Sequence, residues 1–262
     1  MLKLSPAKLS RLHASQQKRA SLRGRLYAFL THPWITRLVS LVFANRIPSF
    51  SGTVHVPPHS PKEIKASILW GLYEYQERFF ISNYLPRNYD TIELGASLGI
   101  VTRTILTRLD FDRKLVSVEA NHTLREYWLK NTARHSMDFP NVVLDNSLVC
   151  YSSTDGFSLG RDNLTGRALP SFSDTSIPKT TLGEISRKFS LRQPFSLVMD
   201  VEGMEFDILR HEAPFIRRCA FVCAELHGSK EQNHSFLSDM SQSGFELLAQ
   251  KHAVAIWQRR AN

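Results

Sequence analysis

The chain has little cysteine, no long apolar run and, in its first 62 positions, no acidic residue at all. Cys150, Cys219 and Cys223 are too few for a disulfide framework and match no zinc spacing. Two of them lie in the apolar run Cys219-Ala220-Phe221-Val222-Cys223-Ala224, which predicts buried thiols in a reducing compartment. The most apolar stretch, Leu26 to Ala44, is broken by His32, Pro33 and Arg37. It therefore neither spans a bilayer nor forms the core of a secretory signal. These absences predict a cytoplasmic protein.

The missing acid concentrates the charge. Residues 1–62 hold ten Lys or Arg, which leaves 23 basic and 24 acidic residues to the remaining 200 positions. The net charge of +9 thus belongs to an N-terminal appendage. Residues 1–24, rich in Lys, Arg, Ser and Gln, read as a mobile or marginally helical arm. From Trp34 the residues Ile35, Leu38, Val39 and Val42 fall on one stripe of a basic amphipathic helix. Such a helix either covers the edge of the core or lies on an anionic membrane at the inner face, over residues 1–46. No nucleic-acid partner is expected, because the rest of the chain is not basic. Pro48 to Pro61 reads as a linker or as a loop laid over the fold. The expected division is 1–62, arm, helix and linker, and 63–262, one catalytic domain.

What the sequence does contain is a strand, turn and helix centred on Thr91-Ile92-Glu93-Leu94-Gly95-Ala96-Ser97-Leu98-Gly99, with a helical stripe at Val101, Ile105 and Leu109. Its glycines allow a tight turn, and the helix start offers unpaired N–H groups to a nucleoside. A dinucleotide site would show G-x-G-x-x-G. Here the spacing is E-x-G-x-x-x-G, which resembles motif I of the class I methyltransferases. Twenty positions on, Glu119 ends the apolar strand Leu115-Val116-Ser117-Val118, where a carboxylate can accept both ribose hydroxyls.

A helix over Lys62 to Leu85 precedes this motif, and strands and helices alternate after it as in a doubly wound sheet. The pattern predicts a helix at 121–134 opened by Thr123 and Glu126, and a strand at 141–149. An irregular stretch at 151–178 leads to a short helix at 180–188 and strands at 195–199 and 220–226. A helix at 230–243 and a closing hairpin at 245–257 complete the chain. Ligands of such sheets lie at the carboxyl ends of the strands, where Glu93–Gly99, Glu119, Asp145–Ser147, Asp200–Glu205 and Glu225–His227 all fall.

Taken with Val118-Glu119-Ala120-Asn121, Thr180-Thr181-Leu182, Met199-Asp200-Val201-Glu202-Gly203-Met204-Glu205 and Ala224-Glu225-Leu226-His227, this motif resembles the FkbM family of S-adenosylmethionine-dependent methyltransferases over about residues 70–250. The most specific mark, D-x-E-G-x-E, stands intact. Glu93 replaces the commoner Asp, Ser97 the commoner Asn, and Gly183 an Asp that usually follows Thr-Leu. The resemblance implies a class I, Rossmann-like α/β fold, mostly parallel with an antiparallel C-terminal edge, carrying the basic helical extension. It also implies methylation of a hydroxyl on a sugar, glycolipid or secondary metabolite.

Glu93, Gly95, Ala96, Ser97, Gly99 and Glu119 are the expected S-adenosylmethionine contacts, with Asn146 and Ser147 near the adenine by position. His227, Asp200 and Glu202 are the expected catalytic residues, since an aliphatic hydroxyl needs a base within hydrogen-bond reach. Each has a structural alternative: Asp200 can orient a loop, Glu202 can cap a helix, and His227 can be an ordinary loop histidine. A divalent ion held by Asp200, Glu202 and His227 suits their chemistry, but neighbours at a strand end point in alternating directions, and no metal is expected. An N-methyltransferase would carry an N/D-P-P-Y/F block where Asp200-Val201-Glu202-Gly203 stands. The alternative from another class is a catalytically silent, methyltransferase-like scaffold docked to a membrane assembly by its basic N-terminus.

Overall fold

A computed structural model describes residues 29–30, 32–137, 139, 141–151, 155–159, 166–170 and 177–260. The basic arm at 1–24 lies outside them. The chain opens with helix α1 (Pro33–Phe43), the short strands β1 (Arg46–Ile47) and β2 (Val54–His55), and helices α2 (Lys62–Leu69) and α3 (Tyr75–Tyr84). The single helix expected over 62–85 is two. Gly71 at φ +67° and Glu74 at φ +50° sit between them, outside right-handed helical space.

Strand β3 (Thr91–Leu94) is followed by α4 (Ile100–Leu106), β4 (Leu115–Val118), α5 (Arg125–Ser136) and β5 (Val142–Asp145). Asn121 caps a 3-10 turn (His122–Leu124) ahead of α5, its side chain accepting from the Thr123 amide. The capping residue is thus Asn121 rather than Thr123. Next come β6 (Leu148–Val149), a hairpin of β7 (Asp155–Leu159) and β8 (Gly166–Pro170), and β9 (Lys179–Thr180), which pairs with β6. Helix α6 (Leu182–Lys188) opens on a capping box between Thr181 and Glu184. The chain ends with β10 (Phe195–Met199), α7 (Glu205–Ile216), β11 (Cys219–Glu225), α8 (Lys230–Gln242), β12 (Phe245–Lys251) and β13 (Val254–Arg259).

Seven strands form the central sheet in the order β12-β13-β11-β10-β3-β4-β5. β11, β10, β3, β4 and β5 run parallel, whereas β13 runs antiparallel to β11 and β12 to β13. This is the expected doubly wound sheet with its antiparallel edge. Strands buried on both faces read as continuous apolar runs. Ile92, Leu94, Leu197, Met199, Val222 and Ala224 pack with α6, α7 and α8 on one face, and Val198, Phe221 and Cys223 pack with α3 and α4 on the other. All three cysteines are buried and none forms a disulfide. From β3 the chain winds outward through β4 and β5, and then returns to lay β10 on the other side of β3. The reversal places the switch point of the sheet at the carboxyl ends of β3 and β10, where open α/β sheets bind ligands.

The N-terminal segment is built into this body. Ile47, Val54 and Val56 are fully buried against Ile68, Leu98, Ile100 and Leu124. Asn131 of α5 accepts from the His55 amide at 2.6 Å and donates to the carbonyls of His55 and Leu98, both at 2.9 Å. Of the two readings of 48–61, the loop laid over the fold is the one adopted. α1 buries Ile35, Thr36 and Val39, but Leu38 and Val42 of the expected stripe point outward with Trp34 and Leu41. No helix among the described residues is long and apolar enough to cross a membrane.

Candidate active site

The loop after β3 is held by the chain itself. Gly95 and Ala96 donate to the Val118 carbonyl at 2.9 and 3.1 Å. Ser97, at φ +43°, donates its amide to Glu119 Oε2 at 2.8 Å, and the Asn121 amide donates to Oε1 at 2.7 Å. Glu119 therefore clamps two loops and keeps unused lone pairs on both oxygens. Burial pushes its carboxyl up to about 7, against the pull of those two amides.

The glycines serve packing rather than ligand approach. A Cβ on Gly95 would lie 1.8 Å from the Asp200 carbonyl oxygen, and one on Gly99 would press on Trp128 and Thr132 at 2.9 Å. The loop after β3 and the end of β10 touch because Gly95 has no side chain. Glu93 lies beneath the loop, 1% exposed. Its Oε2 accepts from Thr102 at 2.7 Å and from Ser117, and the Trp128 indole N–H completes the chain on Thr102 at 3.0 Å. Burial raises Glu93 to about 7 as well. Ala96 is buried at the turn. Asn146 accepts from Arg125 and donates to the Glu119 carbonyl, while Ser147, buried beside it, keeps its hydroxyl oxygen without a partner.

Across the switch point the second rim is acidic. After β10, Glu202 at φ +51° and Gly203 at φ +105° turn the chain sharply. The strand alternation ends there, so Asp200, Glu202 and His227 converge instead of diverging, with one ligand-type atom of each within 4.8 Å of the others. His227 Nε2 stands 3.6 Å from Asp200 Oδ1, 3.9 Å from Glu202 Oε2 and 4.0 Å from Glu225 Oε1, all too long for hydrogen bonds. Its other nitrogen, Nδ1, pairs with Glu205 Oε1 at 3.0 Å. Glu205 is fully buried, and the same oxygen accepts from the amides of Val201 and Gly203. The last Glu of the D-x-E-G-x-E block thus shapes the turn and aims the histidine. The Glu205 bond, aided by the surrounding carboxylates, raises His227 to about 9. Burial, with Glu225 next, raises Asp200 to about 7.

Sequence reasoning missed Glu77. This residue of α3 is 2% exposed, neither oxygen accepts a hydrogen bond among the described residues, and the charges acting on it are all carboxylates, Asp200 first, then Glu74, Glu93 and Glu225. Burial and those neighbours push it well above the usual carboxylate range. The signal was its register: Glu77 shares the buried stripe of α3 with Phe80 and Ile81. Glu74 is raised for the same reasons.

The two rims fit a nucleoside-bearing cation. Glu119 offers free lone pairs beside the motif loop, and the enclosed Ser147 Oγ and Asp200 Oδ1 lack partners. The match to a known protein family agrees. The methyltransferase FkbM domain matches residues 106–247, a little over half of the chain. The match takes in Glu119, Asp200–Glu205 and Glu225–His227; the motif at 91–99 lies just outside it. No curated protein matches the sequence. Among solved structures, a methyltransferase FkbM from Methylobacillus flagellatus KT is 12% identical, with 85% of this chain and 58% of that one covered at a TM-score of 0.47. A precorrin-6y methyltransferase from Geobacter metallireducens is 11% identical, covering 72% of this chain and 88% of that one at 0.43. A Streptococcus pneumoniae protein in complex with S-adenosyl-L-methionine is 6% identical, with 71% and 74% covered at 0.45. On the domain match, and with the motif loop, Glu119 and the acidic block all at the sheet's switch point, the chain belongs to the FkbM family of S-adenosylmethionine-dependent methyltransferases.

Proposed function

We propose that this methyltransferase acts on a hydroxyl group of a sugar, glycolipid or secondary metabolite. The observation that supports this reading is the convergence of Asp200, Glu202 and His227 opposite the motif loop. An alcohol loses its proton only as it attacks, and a base must stand within hydrogen-bond reach. Asp200 meets that need by position, with Oδ1 enclosed and unpartnered. His227, fixed through Nδ1 by Glu205, faces the same space and steadies the negative charge there.

The loop 95–99 and Glu119 hold the cofactor, with Asn146 and Ser147 toward its base. Bound there, S-adenosylmethionine supplies a methyl group on a sulfonium. Positioning dominates such a transfer, because the acceptor oxygen must lie on the S–CH3 axis. The residues of the acidic rim set that line from the acceptor's side.

Calorimetric titration with S-adenosylmethionine, followed by a screen of hydroxylated acceptors, tests the reading. Micromolar cofactor binding and methyl ethers as products are expected, with Asp200→Asn lowering kcat far more than cofactor affinity. Methylated amines as the only products would overturn the hydroxyl assignment.

We also infer that the outer face of α1 meets an anionic membrane surface. Trp34, Leu38, Leu41 and Val42 are all more than half exposed, and α1 lies within residues 1–62, which hold ten basic and no acidic residues. Leu41→Asp with Val42→Asp should abolish sedimentation with phosphatidylserine vesicles while leaving cofactor binding intact. Sedimentation unchanged by the pair would remove α1 from any membrane contact.

A further inference from the structure

We propose that Asp200, Glu202 and His227 form a site for one divalent transition-metal ion, Mn²⁺ being the representative probe. The inference rests on the methyltransferase reading of the same site and gives its acidic rim a resident cation.

Three independent features support it. The first is distance. Two ligands about 2.1 Å from one octahedral ion lie about 3 Å apart when adjacent and about 4.2 Å apart when opposite. The separations from His227 Nε2 to Asp200 and Glu202, 3.6 and 3.9 Å, lie between those two values and outside hydrogen-bond range, and the three ligand atoms fall within 4.8 Å of one another, so each separation is within about 1 Å of what one ion requires.

The second is orientation. A metal-bound histidine commonly gives its other N–H to a carboxylate, which fixes the tautomer and turns the free nitrogen on the ion. His227 Nδ1 is paired with the fully buried Glu205 at 3.0 Å, which leaves Nε2 directed at three carboxylates with no hydrogen bond of its own.

The third is unmet negative charge. Asp200 Oδ1 is enclosed and unpartnered, as is Oε2 of the fully buried Glu205 that holds His227, and Glu77 of α3, 2% exposed, adds a buried carboxyl that accepts no hydrogen bond among the described residues. A buried carboxylate without a donor is costly, and a cation among several satisfies them together. A nitrogen ligand among carboxylates favours Mn²⁺ or a later ion over Mg²⁺. The bound ion would also draw the acceptor hydroxyl to its open positions and ease loss of the proton to Asp200 or solvent.

The full chain, stripped with a chelator and desalted, is titrated with Mn²⁺ by calorimetry and by electron paramagnetic resonance. One ion per chain at micromolar Kd is expected, with nitrogen coupling in the electron spin echo. His227→Gln should lose that coupling and bind at least about tenfold more weakly. Glu119→Ala should bind Mn²⁺ as the parent does while losing S-adenosylmethionine affinity, which separates the two readings. S-adenosylmethionine binding with no uptake of Mn²⁺ at millimolar concentration would overturn the metal site alone. Uptake without nitrogen coupling would overturn it as well, and that readout on the parent protein stands even where a variant does not fold.

Discussion

Two rims face each other across the ends of β3 and β10, and they are built on opposite rules. On the β3 side the backbone of the loop is tied by the chain, with Ser97 and Asn121 bound to Glu119, Gly95 and Ala96 to Val118, and Thr102 and Ser117 to Glu93, although the Ser97 hydroxyl and Glu93 Oε1 stay without partners. On the β10 side the carboxylates outnumber their donors. Asp200, Glu202 and Glu225 surround a histidine they do not hydrogen-bond, and Glu77 has no donor at all among the described residues. A rim whose backbone is preformed binds the part of a ligand that never changes, as a nucleoside does during methyl transfer. An unsatisfied rim is stabilised by what arrives, a cation or a group that shares its proton.

The glycines break this comparison most sharply, because one on each rim has positive φ for a different reason. Gly95 (φ +83°) has the Asp200 carbonyl where a Cβ would go, whereas Gly203 (φ +105°) has open space around it. Gly95→Ala should therefore cost about 3–5 kcal/mol, from backbone strain plus a clash between two strand ends. It should also spoil both rims together, with cofactor affinity and catalysis falling alike. Gly203→Ala meets strain alone, about 1–2 kcal/mol, and should lower kcat while leaving S-adenosylmethionine affinity near the parent value. Urea denaturation and calorimetry read both. Equal losses of cofactor affinity in the two variants would mean the rims are not separable.

Much of this was legible in the sequence, and the failures have physical causes. Strands buried on both faces announce themselves as apolar runs, so 91–94, 115–118 and 195–199 were read nearly to the residue. Glu119 followed from its spacing to Gly99, and the 200–205 block from the family resemblance and its place at a strand end. Tertiary contacts decided the rest. Periodicity continued across Gly71 and Glu74, where the backbone turns left-handed. Alternation was assumed past Met199, where Glu202 and Gly203 reverse the chain and gather three side chains that a strand would scatter. The stripe on α1 mixed residues that meet α2 with residues that meet solvent, since a helix shows its apolar positions but not which of them find a neighbour. Glu77 went unread because a lone acid on an apolar stripe looks like noise until the partner face is known to be acidic.

The preformed rim has its own weak point, which a pH titration can expose. Burial outweighs the Ser117 and Thr102 hydrogen bonds on Glu93 and lifts it from 4.5 to about 7. Its folded pKa is thus raised above the unfolded one, so below pH 4.5 both states carry the proton and no penalty exists. Between pH 4.5 and about 7 the unfolded chain releases the proton first and stability falls, by about 3 kcal/mol in all; above about 7 the loss is constant. Glu93→Gln keeps an oxygen for the two hydroxyls and sets an amide where Oε1 now lacks a partner. The variant should match the parent near pH 4.5 and exceed its stability at pH 8 by that amount, measured by urea denaturation across the range. A parent-minus-variant difference that stays flat with pH would show that Glu93 is ionised at no cost in the fold, and Glu119, lifted to the same value by burial, would be the next group to examine.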